Sequence, residues 1–241
     1  MHGVGIIRCI VGVIGNVISG LLFISPMPTF WRICKKKSTE EFHPYPYIAA
    51  TMNCMLWIFY GLPVVHPDSI LVITINSFGL ALEFIYLFIF FIYTSKQKYM
   101  WIIMMYLLCE LVLLGVIIVI TILCFHTHEK RSMFVGILCD IFGIIMYGSP
   151  LSKLYDVYKE KSAEFMPFWL CVAGFTNGIT WTIYAFLQIF DPYIAVGNGI
   201  GALLGLIQLT VFAYYTIKAK SNASNSEAKS GDMQLSNPPP I

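Results

Sequence analysis

The sequence predicts an all-α membrane protein in which seven transmembrane helices form two parallel three-helix repeats joined by a linker helix (3+1+3). Of the 241 residues, 58% are hydrophobic and 12% are charged, whereas a soluble domain carries about 25% charged residues. Seven apolar runs approach or exceed the ~20 residues that an α-helix needs to cross the hydrocarbon core. A set of residues also recurs at constant spacing, which indicates an internal duplication.

The seven apolar runs cover residues 6–30, 47–65, 69–93, 100–125, 133–157, 167–190 and 192–217. The second and sixth are short and carry prolines at one end, so the pattern defines their bounds only to within several residues. The first run contains Asn16 and Pro26 and is not followed by a small-x-small cleavage site, so we predict that it is retained. The seven cysteines lie mostly inside apolar runs, where they act as small hydrophobic residues, and they predict neither disulfides nor a metal site.

The duplication centres on a polar stripe in the second and sixth runs. Positions i, i+4 and i+7 of a helix share a face, so each copy presents an amide, an indole and a phenol together. The residues matched at an offset of 124 are Asn53 with Asn177, Trp57 with Trp181, Tyr60 with Tyr184 and Ser25-Pro26 with Ser149-Pro150, and those matched at 122 are Asn76 with Asn198.

These matches divide the chain into four parts. Residues 1–95 form the first repeat, 96–131 contain linker helix 4 and its connectors, 132–217 form the second repeat, and 218–241 are expected to be a disordered tail. Because three helices reverse the chain and a fourth restores it, both repeats cross the membrane in the same direction. Twelve of the fifteen basic residues lie in the connectors after runs 1, 3 and 5 and in the tail. The positive-inside rule therefore predicts an extracellular N-terminus and a cytosolic C-terminus.

Four prolines lie near the predicted cytosolic ends of helices, two in each repeat: Pro26, Pro46, Pro150 and Pro167. A proline inside a helix removes a hydrogen bond and clashes with the preceding turn. Pro46 and Pro167 also fit ordinary helix starts. Pro26 and Pro150 lie inside apolar runs, where they predict hinges.

Two amides and two indoles are expected to meet near the middle of the membrane. A rise of ~1.5 Å per residue puts Trp57 near the bilayer midplane and Asn76 at a similar depth, and Trp181 and Asn198 repeat this arrangement. An amide donates and accepts hydrogen bonds without charge, and an indole offers an apolar face with one N–H. The set predicts a pocket in which a sugar stacks on the indoles while its hydroxyls bind the amides.

Several longer motifs occur in a fixed order: Ser25-Pro26-x-Pro28-Thr29-Phe30, Lys36-Lys37-Ser38-Thr39-Glu40-Glu41-Phe42, Asn53-Cys54-x-x-Trp57-x-x-Tyr60-Gly61-Leu62-Pro63, Thr74-Ile75-Asn76, Met146-Tyr147-x-Ser149-Pro150-Leu151, Lys161-Ser162-x-Glu164-Phe165-Met166-Pro167-Phe168 and Gly197-Asn198-Gly199. With these motifs the chain resembles the SWEET sugar transporters over about residues 5–217, a family built from parallel repeats.

The resemblance implies a role for individual residues. The pocket would comprise Asn76 and Asn198 flanked by Trp57 and Trp181, with Leu22 and Met146 in its walls; the outer gate would comprise Tyr60, Tyr184 and Asp191; and the proline tetrad would comprise Pro26, Pro46, Pro150 and Pro167. Asn53 and Asn177 fit either substrate binding or the linking of helices, which is a common role of intramembrane amides.

The resemblance also implies a function. The expected function is that of a passive, bidirectional uniporter that works by alternating access. The resemblance also implies a homo-oligomer. Paired tryptophans resemble the monosaccharide-preferring members, so we expect a hexose such as glucose rather than sucrose. The plasma membrane is the expected location, with the vacuolar or another internal membrane as the alternative.

Three acids within apolar runs leave another mechanism open: Glu83, Glu110 and Asp140. Intramembrane carboxylates often relay protons, so a proton-coupled small-solute transporter of the PQ-loop group is the nearest alternative, although none of the three recurs between repeats. A seven-helix receptor is a further alternative, which the duplication disfavours. The net charge of +2 does not indicate nucleic-acid binding. No motif indicates an enzyme, a cofactor or a metal site.

Overall fold

The computed structural model describes the backbone of residues 2–236 and the side chains of residues 4–148, 150–164 and 166–222. Residue 1 and residues 237–241, which belong to the predicted first repeat and tail, lie outside this part. Every regular element within it is helical, as the sequence predicts. The elements are α1 (His2–Ile24), α2 (Met27–Lys36), α3 (Tyr45–Gly61), α4 (Ile70–Tyr93), α5 (Gln97–Cys124), α6 (His128–Met146), α7 (Gly148–Glu160), a 3-10 turn (Ala163–Phe165), α8 (Phe168–Phe186) and α9 (Pro192–Ser236).

These helices form the seven predicted transmembrane segments, because α1 with α2 and α6 with α7 are each one segment that is broken near one end. Within the described residues, five segments are long and apolar enough to cross a membrane: Val4–Lys36, Ile70–Tyr93, Gln97–Cys124, His128–Glu160 and Pro192–Asn222. The other two are the short second and sixth segments, α3 with 17 residues and α8 with 19. A helix of that length spans roughly 25–30 Å, close to the thickness of the hydrocarbon core.

Both breaks lie close to a predicted hinge proline. Pro26 caps the N-terminus of α2, whereas the second break falls at Tyr147, so that Pro150 lies in the first turn of α7. Pro46 lies in the first turn of α3, and Pro167 caps the N-terminus of α8. All four prolines therefore occupy helix starts, where the missing N–H leaves no helical hydrogen bond unmade.

The duplication extends to the backbone conformation. Lys37 follows α2 with φ 51°, and Lys161 follows α7 with φ 52°, so both residues adopt the left-handed conformation. That conformation is uncommon for residues other than glycine. Its recurrence 124 positions later shows that the two copies end their broken helix in the same way.

The third helix of each repeat lies between the first and the second. In the first repeat, α4 packs against both α1 and α3; in the second, α9 packs against both α6 and α8. The repeats meet through two equivalent contacts, α1 with α8 and α3 with α6. The linker helix α5 packs against α3, α4 and α6.

The two ends of the bundle are packed differently. We call the end that holds Tyr60, Tyr184 and the α3–α4 connector the tyrosine end, and the end that holds α2, α7 and the four prolines the proline end. One core at the tyrosine end combines residues of both repeats, such as Tyr60 with Trp181. At the proline end, one core around Phe30 belongs to the first repeat and α5, and another around Val157 belongs to the second repeat. Apolar packing thus joins the repeats at the tyrosine end and leaves them as separate bodies at the proline end.

The C-terminal segment differs from the prediction. The sequence predicts disorder over residues 218–241, whereas α9 continues to Ser236. The segment contains no proline before Pro238, and extending an existing helix avoids the cost of nucleating a new one. The polar composition of the tail indicates that its residues do not pack into a hydrophobic core. A lack of such packing does not by itself prevent helix formation.

Candidate functional site

A cavity of about 350 Å³ lies between the repeats and is lined by side chains from α1, α3, α4, α6, α8 and α9. All eight residues predicted to contact a substrate line it: Leu22, Asn53, Trp57, Asn76, Met146, Asn177, Trp181 and Asn198. The structure therefore brings the predicted set together at one place. Their role in substrate binding stays a prediction.

The two central amides have the same hydrogen bonding. The Asn76 side-chain nitrogen donates to the Val72 carbonyl at 2.9 Å, and the Asn198 nitrogen donates to the Ile194 carbonyl at 2.9 Å. Each bond returns to the preceding turn and fixes the orientation of the amide. Within the described residues, neither amide oxygen has a protein donor, so each is available to a ligand hydroxyl.

The two indoles are also held in equivalent ways. Trp57 meets the ring of Tyr60 edge-on at 5.4 Å and 77°, and Trp181 meets Tyr184 at 5.2 Å and 70°. Edge-to-face contacts of this kind are favourable for aromatic pairs. The phenols therefore brace the indoles from the tyrosine end, while the indoles line the cavity.

The repeats differ at Ser19. Its hydroxyl donates to the amide oxygen of Asn177 at 2.5 Å and accepts from the indole N–H of Trp181 at 2.9 Å. The equivalent position in the second repeat is Gly143, which offers Asn53 no hydroxyl. The Asn53 amide oxygen is accordingly buried without a partner among the described residues. The amide oxygen of Asn177 thus has a protein hydrogen-bond donor, whereas that of Asn53 has none among the described residues.

The tyrosine end is closed over the cavity by a buried polar contact. The Tyr60 hydroxyl lies 2.9 Å from both carboxylate oxygens of Asp191. His66 stacks on the Tyr60 ring at 4.9 Å, and its Nε2 lies 3.6 Å from Asp191. Burial lowers the pKa of His66 below its ordinary value, and the nearby Asp191 carboxylate opposes this shift without cancelling it. His66 is therefore neutral at pH 7, and its contact with Asp191 is not an ion pair.

Tyr184, the third predicted gate residue, has a different partner. Its ring lies under the guanidinium of Arg8, 4.3 Å from the ring centroid. Arg8 also donates to the carbonyl of Asp68 at 3.0 Å, in the connector between α3 and α4. The two tyrosines are buried at the same end, but only the hydroxyl of Tyr60 bonds to Asp191.

Comparison with known proteins identifies the family. The family model described as "Sugar efflux transporter for intercellular exchange" matches residues 9–98 and 133–220. The bidirectional sugar transporter SWEET7 of Arabidopsis thaliana is 50% identical over 231 residues, which cover 96% of this chain and 89% of that protein. The chain belongs to the SWEET family of sugar transporters. SWEET4 of Arabidopsis thaliana is 50% identical over 208 residues, covering 86% of this chain and 82% of its own length.

A solved SWEET structure has the same fold. The 3.7 Å resolution structure of a eukaryotic SWEET transporter superposes with a TM-score of 0.84 and 33% identity, covering 88% of this chain and 98% of that one. Between them, the two segments matched by the SWEET family model leave out residues 99–132, which contain all but the first two residues of α5. The 3+1+3 architecture predicted from the sequence is confirmed. The chain is a membrane protein that transports sugar, and it is not an enzyme.

The prediction missed seven residues that line this SWEET cavity: Ser19, Phe23, Ala50, Val72, Ile75, Glu83 and Ile194. The duplication carries a signal for two of them, because Val72 and Ile194 repeat at the offset of 122 and lie one turn before the central amides. No such signal exists for Ser19, whose counterpart is a glycine. For Glu83, the sequence indicates only a role as a proton carrier.

Proposed function

We propose that the chain is a bidirectional, facilitative uniporter that moves hexoses such as glucose down their gradient by alternating access. One observation carries the proposal. A cavity lined by paired amides and paired indoles is closed at the tyrosine end by a buried hydrogen bond and is flanked at the proline end by two cores that do not merge. This arrangement is expected of a transporter whose substrate site communicates with one side of the membrane at a time.

The chemistry of the cavity suits a monosaccharide. A hexose ring has C–H faces that pack on indoles and hydroxyls that exchange hydrogen bonds with amides. Trp57 and Trp181 both occupy space in a cavity of about 350 Å³, and a disaccharide needs roughly twice the room of a monosaccharide. Bulk at both positions therefore favours hexoses over sucrose.

Alternating access requires the closure to move from one end to the other. The breaks at Pro26 and Tyr147 give each repeat a point at which its proline-end segment can turn. Closing the proline end would bring the two separate cores together. Opening the tyrosine end would break the contact between Tyr60 and Asp191.

The positive-inside rule supports an orientation with the proline end and the C-terminus in the cytosol and the N-terminus outside. We propose the plasma membrane as the location, with the vacuolar or another internal membrane as the alternative, and a homo-oligomer as the assembly. The curated relatives are named bidirectional sugar transporters. A passive transporter of this kind needs no cofactor.

The proposal is tested by flux of labelled glucose and sucrose into liposomes that contain the purified chain, with and without a pH gradient. We expect glucose flux that exceeds sucrose flux, ignores the gradient and is lost in Asn76→Ala and Asn198→Ala. Asn16→Ala is the matched control, because Asn16 binds Thr74 at 2.8 Å and does not line the central cavity. Flux that needs the gradient would instead indicate proton coupling, and a lack of sugar flux would overturn the proposal.

A further inference from the structure

Glu83 is the one acidic side chain among the described residues that line the central cavity. It lies on α4 seven residues after Asn76, and therefore on the same face of the helix, about 10 Å nearer the proline end. It is 4% exposed. A carboxyl group thus borders the path between the central amides and the proline end.

The carboxyl group has no protein partner within the described part of the chain. Its Oε2 is buried without a hydrogen bond, and the ion pairs found there use other acids. The nearby Tyr86 hydroxyl is already used, because it donates to the carbonyl of Phe23 at 2.9 Å. A buried carboxyl oxygen that has lost its hydrogen bond to water and gained no other destabilises the folded protein. Such a group is retained in a cavity most readily when a ligand supplies the missing donor.

The two repeats differ at the position of Glu83. The position equivalent to Glu83 is Gly205, at the offset of 122. A side chain there would meet the backbone and Cβ of Phe175 at 2.8–3.1 Å. The second repeat thus has no room for a side chain at this level, whereas the first repeat carries an acid.

We infer that Glu83 is a sugar-binding residue, which accepts a hydrogen bond from one hydroxyl of the hexose on the proline-end side of the central amides. The inference rests on the proposed function and adds a specificity-determining group to it. A carboxyl group offers two oxygens to a sugar hydroxyl, whereas a side-chain amide offers one. Because the second repeat has no counterpart, the acid binds the sugar from one side only and selects among its possible orientations.

The test compares glucose with its monodeoxy analogues in liposomes that contain the full chain or the variant Glu83→Gln. The amide keeps the shape of the side chain but replaces one carboxyl oxygen with an NH2 group, so we expect the half-saturating glucose concentration to rise on the order of 5- to 10-fold. One deoxy analogue should bind the unaltered chain about as weakly as glucose binds the variant. The same analogue should lose little further affinity in the variant, because the bond is already absent.

Glu110→Gln is the matched control. Glu110 lies on α5, is 9% exposed and also has a buried Oε2 without a partner among the described residues, but it does not line the cavity. We expect its glucose half-saturation and its pattern of analogues to match those of the unaltered chain. Equal losses in both variants would show that buried acids matter only for folding, and would overturn the inference.

Other outcomes are equally decisive. If Glu83→Gln weakens every analogue by the same factor as glucose, or weakens none, no hydroxyl is bound and the inference fails while the proposed function stands. Glucose uptake that requires a proton gradient in the unaltered chain, and not in the variant, would assign a proton to this carboxyl instead. A lack of hexose flux in the unaltered chain would overturn the proposed function and the inference together. If Glu83→Gln does not fold, Glu83→Asp, which withdraws the carboxyl group by one methylene, should single out the same hydroxyl.

Discussion

Asp191 performs two tasks with one carboxylate. It accepts hydrogen bonds from the backbone N–H groups of Tyr193 and Ile194 at 3.1 Å, and so caps α9 of the second repeat. It also lies 2.9 Å from the hydroxyl of Tyr60 on α3 of the first repeat. The residue that caps the third helix of one repeat is therefore bonded to the second helix of the other, at the closed tyrosine end.

Tyr60→Phe should shift the protein toward opening at the tyrosine end. A hydrogen bond to a charged group contributes about 1.5–3 kcal/mol, so the ratio of closed to open forms should fall by roughly 10- to 100-fold. The shift can be measured as the distance distribution between spin labels at Val64 and Ile189, which are exposed in the α3–α4 connector of the first repeat and the α8–α9 connector of the second. Tyr184→Phe keeps the ring under Arg8 and should change the distribution less. An unchanged distribution in Tyr60→Phe would contradict this role of the hydroxyl.

Acidification should favour the same opening through His66. Its pKa is lowered in the closed form mainly by burial, and it should return toward about 6.5 when opening hydrates the ring. Above that value His66 is neutral in both forms and has no effect; as the pH falls from 7 to 5, protonation stabilises the open form. The charged and titratable groups that act on His66 are Asp191, Arg8, Asp68 and His128.

Spin-label distances at several pH values would check this direction. We expect His66→Gln to abolish the pH response and His128→Gln to retain it, because His128 is exposed and acts on His66 only weakly. A closed form that becomes more stable in acid would show that attraction to Asp191 outweighs burial.

Trp57→Ala should relax discrimination between hexoses and sucrose. Removing the indole enlarges the cavity on the side of the first repeat, so the ratio of glucose to sucrose flux should fall several-fold, with weaker glucose binding from the lost stacking. Trp101→Ala, on the exposed face of α5, is the control. An unchanged ratio in Trp57→Ala would exclude a steric origin of the preference.

Ser19→Ala should destabilise the folded protein. The change leaves the amide oxygen of Asn177 and the indole N–H of Trp181 without their partner, at a cost of about 1–3 kcal/mol. The reverse change is available in the other repeat: a side chain at Gly143 would lie 4.0 Å from the amide oxygen of Asn53. Thermal unfolding in detergent should show a lower midpoint for Ser19→Ala and a higher one for Gly143→Ser. Equal midpoints would mean that neither hydroxyl matters for stability.

Gly178→Ala should disturb the cavity by separating two helices. A Cβ at this position would meet backbone atoms of Ala202 at 2.6 Å and Asn198 at 2.9 Å, so α8 could no longer approach α9 as closely. We expect a loss of about 1–3 kcal/mol in unfolding free energy together with reduced glucose flux, because Asn198 moves. Gly174→Ala, one turn earlier on the same helix, meets nothing within 4 Å and should be neutral. Similar behaviour of the two variants would contradict the importance of this close approach.

The sequence predicts eight of the residues that line the cavity, because matching positions in the two repeats mark residues that helical periodicity alone would not distinguish. Asn76 and Asn198 are conspicuous only as a pair, and in the structure they make equivalent hydrogen bonds. The same reasoning fails where the repeats differ. Ser19 is equivalent to Gly143, and Glu83 is equivalent to Gly205, so neither side chain recurs. Ser19 and Glu83 nevertheless line the cavity. Asymmetric residues of this kind need the structure, because only spatial neighbours, such as Trp181 beside Ser19, reveal what they do.

The arrangement of the three cores has a consequence for building hybrid proteins. Each core at the proline end is confined to one repeat, with α5 added to the first, so its residues need to fit only one another. The core at the tyrosine end draws on both repeats. In a chimera that joins the first half of this chain to the second half of a relative, the side chains of the two halves would therefore have to fit one another mainly at the tyrosine end. That region contains Tyr60, Asp191 and the residues packed around them.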